Sequence, residues 1–587
     1  MTGYGLTVFE GTKPDRFNVR VVGVLHNFMP KQDLILIRSE DPRLVHSGVV
    51  AGMSGSPIYI DGRLAGALSY GWSFSRDPIA GVTPIANMQS ELRRPLRGRQ
   101  QTPAAEAGRN TSCPTKDAPC SGGSSLLRPR RSVEDALTSY QMSESRQPRF
   151  LDRDPLPPLP LMGASSSLVR ASVPLTLAGF TTEAFEQLSK ALAPYHMTPL
   201  AAGGAPRPNA GGPEQFESGG AIAVNLVRGD INAAGTGTVT LIDGDRVAGF
   251  GHPMFNVGEI YLPISTAEIP TIMSAYSSSF KFATPLREVG SLIQDRQSCI
   301  VGDVGLRADM IPVRVRVGGP GRNERSFNAE VVRHRFLTPM LASSVVGSSI
   351  QEAASDVADA TITVRTELDV RGYSKLSLVD HTFSTEGVTQ SKIASTTGLK
   401  AIGEILFNPF APTNLDRIDV QVDVDYKPDV AEIVGVALRA DEVIAGTRPA
   451  LQVTLRPYNG AEYTESVPLD IPVGMSGSTL KIEVAAGNLA KPDVAPPENL
   501  PSLLQNLTKA YPARSIVVTL QTPDEGLILR GTMVPSLPTS VIDTLRPGAS
   551  SRRGEAYKLT SRIVIPTRGV VLGKRELQVK IKEPTAG

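Results

Sequence analysis

The chain has 587 residues, with 60 Lys and Arg against 58 Asp and Glu, for a net charge of +2. That balance excludes the basic footprint of a nucleic-acid binder, and the length exceeds one ordinary core, so roughly two to four domains are expected. A hydrophobic share of 41%, with 54 Gly, 47 Pro and 5% aromatic residues, favours many short strands and turns over long helices.

Residues 1–95 read as a compact β unit. FNVRVVGVL (17–25) and DLILIRS (33–39) are β-branched or apolar runs between turn residues. SPIYIDGRLAGALSYGW reads as a hairpin with Asp61-Gly62 at its turn, and AGVTPIANM (80–88) closes the unit. Residues 96–165 are rich in Arg, Pro, Gly and Ser and read as a disordered linker, with a short helix expected at 133–141. Residues 166–219 read as a strand (SVPLTLAGF), a Thr-capped helix (TTEAFEQLSKALAPY) and a Gly/Pro-rich stretch. Residues 220–310 return to β, and 311–430 mix strands with one helix near 338–356. Residues 431–587 carry regularly spaced strands, as in an immunoglobulin-like β-sandwich.

No apolar run reaches the roughly 18 residues of a membrane-spanning helix. The opening MTGYGLTVFEGTKP lacks a basic stretch followed by an apolar one and already reads as folded β, so export is expected only if a signal segment lies upstream of Met1. Of the three cysteines, Cys113 and Cys120 lie close in the linker and Cys299 lies far away. Their spacing fits no zinc pattern, and incidental thiols are expected. The sequence has no phosphate-binding Gly-x-x-x-x-Gly-Lys and no His/Cys metal cluster, so neither cofactor nor metal is expected.

The most informative stretch is Gly52-Met53-Ser54-Gly55-Ser56-Pro57, between two strands. A serine nucleophile needs a base to take its proton and donors for the oxyanion, and flanking glycines let the backbone turn its N–H groups toward that space. Gly-Met-Ser-Gly-Ser recurs at 474–478 without the proline, where Ser476 reads as a turn residue. The pentapeptide therefore leaves nucleophile and structural turn both open.

The longer stretch DPRLVHSGVVAGMSGSPIYIDGRLAGALSYGW resembles the nucleophile region of the SpoIVB peptidases, a serine-peptidase family first known from endospore-forming bacteria. GTGTVTLIDGDRVAGFGHPMF (235–255) resembles the family's histidine block, and GSLIQDRQSCIVGDVG (290–305) the segment after it. The resemblance implies a trypsin-like pair of β-barrels, here in permuted order because the serine block comes first. It implies Ser54 as nucleophile, His252 as general base and Asp41 as the acidic member, with the N–H groups of Gly52 and Ser54 as oxyanion hole and Met53 as a spacer. No PDZ-like module like that of the sporulation enzymes is found.

The competing readings are specific. His46, eight residues before Ser54, is the rival base, and Glu40 the rival acid. Asp41-Pro42 also suits a turn, and Asp245 reads as a hairpin residue. Arg93-Arg94 and Arg130-Arg131 are either solvated charge or self-cleavage sites. The expectation is thus a serine endopeptidase acting on protein or peptide substrates outside the cytoplasmic membrane. The alternative is a catalytically inactive cell-envelope scaffold that binds a partner through its sandwich.

Overall fold

A computed structural model describes residues 1–72, 77–96, 168–201, 211–275, 278–439, 442–529, 532–534 and 555–583. The expected linker beyond residue 96, its helix at 133–141, Cys113, Cys120 and Arg130-Arg131 lie outside the described residues.

The fold is mainly β. Strands β1 (Thr2–Thr7), β2 (Asp15–Met29), β3 (Gln32–Ser39), β4 (Pro57–Ile60), β5 (Arg63–Trp72) and β6 (Ile79–Pro84) pair in the order β4-β1-β2-β3-β6-β5, and β5 pairs back to β4. The result is a closed six-stranded antiparallel barrel. Alternation builds it: Phe17 and Val19 of β2 point inward while Asn18 and Arg20 face water. They pack with Ile37, Val50, Met53, Ile58, Leu68 and Val82. Asp61 (φ 48°) and Gly62 (φ 76°) form the β4–β5 turn, with Ile60 facing Arg63. Two positive φ values are what a two-residue turn needs to match the strand twist.

Two short helices belong to this barrel, α1 (Pro42–Ser47) and α2 (Ile85–Leu92). The second was not separated in the sequence from the β unit that 80–88 closes: Ile85, Met88 and Leu92 fall at helical spacing, and Met88 and Leu92 are buried.

Beyond residue 167, β7 (Leu168–Arg170) adds to β5 outside the ring. β8 (Val173–Ala178), α3 (Thr182–Leu192) and β9 (Met197–Ala201) follow. Thr181 caps α3, its hydroxyl accepting from the Ala184 N–H. A second ring comprises β10 (Ala221–Gly229), β11 (Asn232–Asp243), β12 (Arg246–Gly249), β13 (Gly258–Met273), β14 (Phe280–Arg296) and β15 (Cys299–Asp303). They pair as β10-β13-β14-β15-β12-β11, and β11 returns to β10. Cys299, the first residue of β15, is free and buried, and burial pushes its thiol well up.

The region 311–430 continues the second ring's sheet. β17 (Arg322–Val332) pairs with β10, and β16 (Met310–Gly319), β20 (Leu415–Asp425), β18 (Ala360–Val370) and β19 (Leu376–Ser384) follow outward. One apolar core runs from Val173 to Val424. The expected helix is α4 (Leu337–Ala353), joined by α5 (Gln390–Ala394) and α6 (Thr397–Phe407), which sequence reading did not separate.

In the C-terminal region, one sheet holds Val430–Leu438, Ala450–Pro457, Tyr463–Pro468 and Val570–Leu572, and another is centred on Thr479–Ala486, Ser515–Leu529 and Lys574–Lys582. Both contribute to one core, with Leu451 and Val453 from the first and Ile482, Ile516 and Val579 from the second. The helix Leu500–Leu507 instead buries Leu500, Leu503 and Leu507 in the large central core.

The two rings are tied together directly. Thr238 and Thr240 of β11 donate their hydroxyls to the carbonyls of Gly52 (2.9 Å) and Gly55 (2.6 Å). The Thr83 hydroxyl of β6 donates to the Gly251 carbonyl at 2.7 Å. Buried Lys281 of β14 donates its ammonium to the Thr7 hydroxyl of β1 at 2.7 Å, and burial pulls its pKa down to about 7. The serine turn and the histidine loop therefore share one interface.

Candidate active site

Ser54 sits in a tight turn ahead of β4. The Met53 N–H donates to the Val50 carbonyl (3.0 Å), and Ser56 donates to the Met53 carbonyl from its N–H (2.9 Å) and its hydroxyl (2.7 Å). Gly52 (φ 92°) and Gly55 (φ 96°) hold backbone angles that side-chain-bearing residues avoid. At Gly55 space is also closed: a Cβ there would stand 1.9 Å from the Thr238 carbonyl oxygen. Met53 is a core plug as well as a spacer, fully buried in the first barrel. That burial anchors the turn, and the Ser54 carbonyl accepts the Thr238 N–H of β11 at 2.8 Å.

The copy at 474–478 repeats the hydrogen bonds, but its first glycine, Gly474, lies in a short 3-10 helix and lacks the positive φ of Gly52. Met475 donates to the Pro472 carbonyl, and Ser478 donates to the Met475 carbonyl from both N–H and hydroxyl. There the Ser476 hydroxyl turns back to the Val473 carbonyl (3.4 Å) and no second barrel faces it. The hydrogen bonds are shared; the backbone at the first glycine and the surroundings separate the two serines.

His252 lies in the loop after β12. Phe250 (φ 66°) and Gly251 (φ 68°) turn the chain, and Gly251 lies so close to β5 that a Cβ there would be 3.0 Å from the Cβ atoms of Ala67 and Ser69. From β14, the buried Asp295 carboxylate accepts the N–H groups of Met254 (2.8 Å) and Phe255 (2.6 Å). Burial raises its pKa to about 6, against the pull of N–H groups from residues 254–257. Asp295 therefore clamps the segment next to His252. Asp295→Ala leaves those donors unmet inside the protein, and we expect a loss of about 3 kcal/mol or more, read as a lower urea midpoint.

The imidazole is buried, and its Nδ1 lies 2.9 Å from the Pro253 carbonyl oxygen. A carbonyl only accepts, so Nδ1 carries the proton and Nε2 presents its lone pair. Burial chiefly lowers the pKa to about 4; the Pro253 carbonyl opposes this, while Arg170 and His196 add to it. His252 is thus a neutral base in the tautomer that accepts a proton at Nε2. Its Nε2 and the Ser54 hydroxyl are both buried without a hydrogen-bond partner, so they do not bond to each other in this state. Among the described residues, the N–H groups of Gly52 and Ser54 also donate to no acceptor, which suits the expected oxyanion hole.

Asp41 stands elsewhere, and the expected triad is corrected on this point. Its carboxylate caps α1 by accepting the Arg43 N–H (2.9 Å) and pairs with the Arg43 guanidinium at 3.0 Å. That guanidinium holds the carboxyl below its ordinary value. The acid touches neither ring nitrogen of His252, because Nδ1 is engaged by Pro253 and Nε2 is free. Asp41→Asn keeps the cap, and we expect peptidase rates within about threefold of wild type; a thousandfold loss would restore Asp41 to the catalytic set. Glu40 is exposed opposite Arg20, and His46 is exposed in the last turn of α1. Neither replaces its rival.

Sequence reasoning missed Asp295 and the threonines of β11. Asp295 lies in GSLIQDRQSCIVGDVG, the third stretch resembling the family, and its contacts with residues 254 and 255 leave no local pattern.

Residues 3–88 match the family model described as SpoIVB peptidase S55. This stretch runs from β1 into α2 and contains Ser54 and Asp41 but not His252. At family level this stretch is similar to SpoIVB peptidases. Neither the curated proteins nor the solved structures compared with the chain gave a match.

Proposed function

We propose that this SpoIVB-like peptidase region works with the second barrel as a serine endopeptidase built on a Ser54–His252 dyad. The observation that carries the reading is the pair of buried, partnerless atoms at one barrel interface: a hydroxyl with a proton to give and an imidazole nitrogen with a lone pair to receive it. Catalysis requires the two atoms to come within hydrogen-bond reach when substrate enters. Ser54 Oγ then bonds to the peptide carbonyl carbon while its proton passes to His252 Nε2. The oxyanion rests on the N–H groups of Gly52 and Ser54. Collapse breaks the C–N bond, and the departing amine takes the proton from His252. Water repeats the sequence on the acyl-enzyme, releasing the carboxylate and restoring the serine. In place of a third side chain, the Pro253 carbonyl orients the imidazole.

The test is covalent tagging with a fluorophosphonate in excess, followed by mass mapping. We expect one adduct, on Ser54. An adduct confined to other serines after prolonged incubation removes Ser54 as nucleophile.

Self-processing, action outside the cytoplasmic membrane and a cell-envelope partner for the C-terminal sheets belong to the same proposal. Of the two arginine pairs, Arg93-Arg94 ends α2, with Arg94 bonded to Glu91 at 2.7 Å. The second reading, an inactive scaffold, draws on the complete burial of Ser54 and the absence of a carboxylate at either ring nitrogen of His252 among the described residues. It predicts neither adduct nor turnover.

A further inference from the structure

β7 is an addition that the first barrel does not need, since its ring closes through β4–β5. It lies antiparallel along the end of β5, with Arg170 opposite Tyr70, Val169 opposite Gly71 and Leu168 opposite Trp72. One residue further, the Ala171 N–H donates to the Ser69 carbonyl at 2.9 Å. The chain then leaves the first barrel, and Val173–Ala178 pairs with β11 of the second. Residues 168–173 thus pass from one barrel to the other along the interface that holds Ser54 and His252.

The crossing is close to the dyad on several sides. Leu68, next to Ser69, accepts the Gly55 N–H at 2.7 Å, which fixes β5 against the serine turn. Gly251, next to His252, packs on Ser69. The Pro174 ring lies over Gly52, so that a Cβ on that glycine would stand 3.1 Å from it. Arg170, opposite Tyr70, is near enough to His252 to help depress its pKa. Leu168 and Ala171 are buried, whereas the Val169 side chain is exposed. This register, with an extended segment laid on a strand edge beside the nucleophile and held through backbone groups, is how a peptide is captured by strand addition.

We propose that residues 168–171 occupy the peptide-substrate groove as an internal pseudosubstrate, with Ala171 in the position next to the scissile bond. The inference rests on the peptidase reading of Ser54 and adds regulation and substrate class to it. The groove takes an extended peptide with a small apolar residue at the Ala171 position. Substrate enters only when β7 lifts from β5, which explains why Ser54 and His252 are both buried at rest.

Val169→Pro tests this directly, because proline has no N–H to give to β5 and the Val169 side chain supports no core. The measurement is the rate of fluorophosphonate labelling at Ser54 in the full chain, with circular dichroism and melting as folding controls. We expect labelling at least tenfold faster than wild type, and a return toward the wild-type rate when the free peptide Leu-Val-Arg-Ala is added at millimolar concentration. Leu168→Ala, which loses a buried anchor, is the second variant and should label several-fold faster. Equal rates in wild type and both variants overturn the pseudosubstrate while leaving the peptidase reading intact. A faster rate that the peptide leaves unchanged assigns the effect to loosened barrels and also overturns it. No labelling at Ser54 in any of the three overturns the nucleophile itself, and this proposal with it.

Discussion

Ser54→Ala is expected to reduce peptide hydrolysis by about five orders of magnitude or more and to abolish fluorophosphonate labelling. No other group stands ready to replace the hydroxyl: Ser56 is engaged with the Met53 carbonyl and Ser69 with Thr83. The same change should leave the fold intact or slightly firmer. The Ser54 hydroxyl is buried and makes no hydrogen bond, so alanine removes an unmet polar group, and a gain of roughly 1 kcal/mol is reasonable. An activity loss with a preserved or raised melting temperature is the signature of a residue kept for chemistry against the interest of packing. Loss of activity together with a lowered melting temperature would return Ser54 to the role of a structural turn.

The first barrel was largely legible in the sequence because its signals are local. Alternation in 17–25, the Asp61-Gly62 turn and the glycines around Ser54 each act within a few residues, and the strands and turn followed. Closure of the second ring was implied only by resemblance. It depends on β10 meeting both β11 and β13, and the latter pairing joins Ile222 to Thr266, beyond the reach of any local pattern. The mixed region was read as separate for the same reason: its attachment through β17 to β10 is a long-range pairing.

The site was half legible. Ser54 and His252 lie on opposite barrels, in segments that each contact the other barrel: Gly55 against β11 and Gly251 against β5. Their pairing belongs to the proposal. Asp41 was misassigned because Asp-Pro before an apolar stretch serves equally as an acid beside a histidine and as a helix cap, and Arg43 two residues on makes it a cap. What holds the imidazole is a backbone carbonyl, and a carbonyl leaves no trace in residue identity. The twin turns at 52–56 and 474–478 make the same point. Their hydrogen bonds agree, and the positive φ of Gly52, the threonines of β11 and the loop around His252 distinguish the first.

His252→Ala is the second large effect: hydrolysis should fall about ten-thousandfold, with labelling at Ser54 slowed to match. A general base acts only in its neutral form, and burial keeps this one neutral to about pH 4. The wild-type labelling rate should therefore hold its plateau down to about pH 5 and decline about tenfold per unit below 4, whereas an exposed histidine would give a midpoint near 6.5. The depressed pKa also has a stability cost with a definite sign. Between pH 6.5 and 4 the unfolded chain takes up a proton at this position and the folded chain does not, so stability falls as the solution is acidified through that window. His252→Ala removes this contribution along with the activity. If the variant kept its rate, or if the wild-type profile broke near 6.5, the proton acceptor would have to be an exposed imidazole, and His46 would be the first to replace.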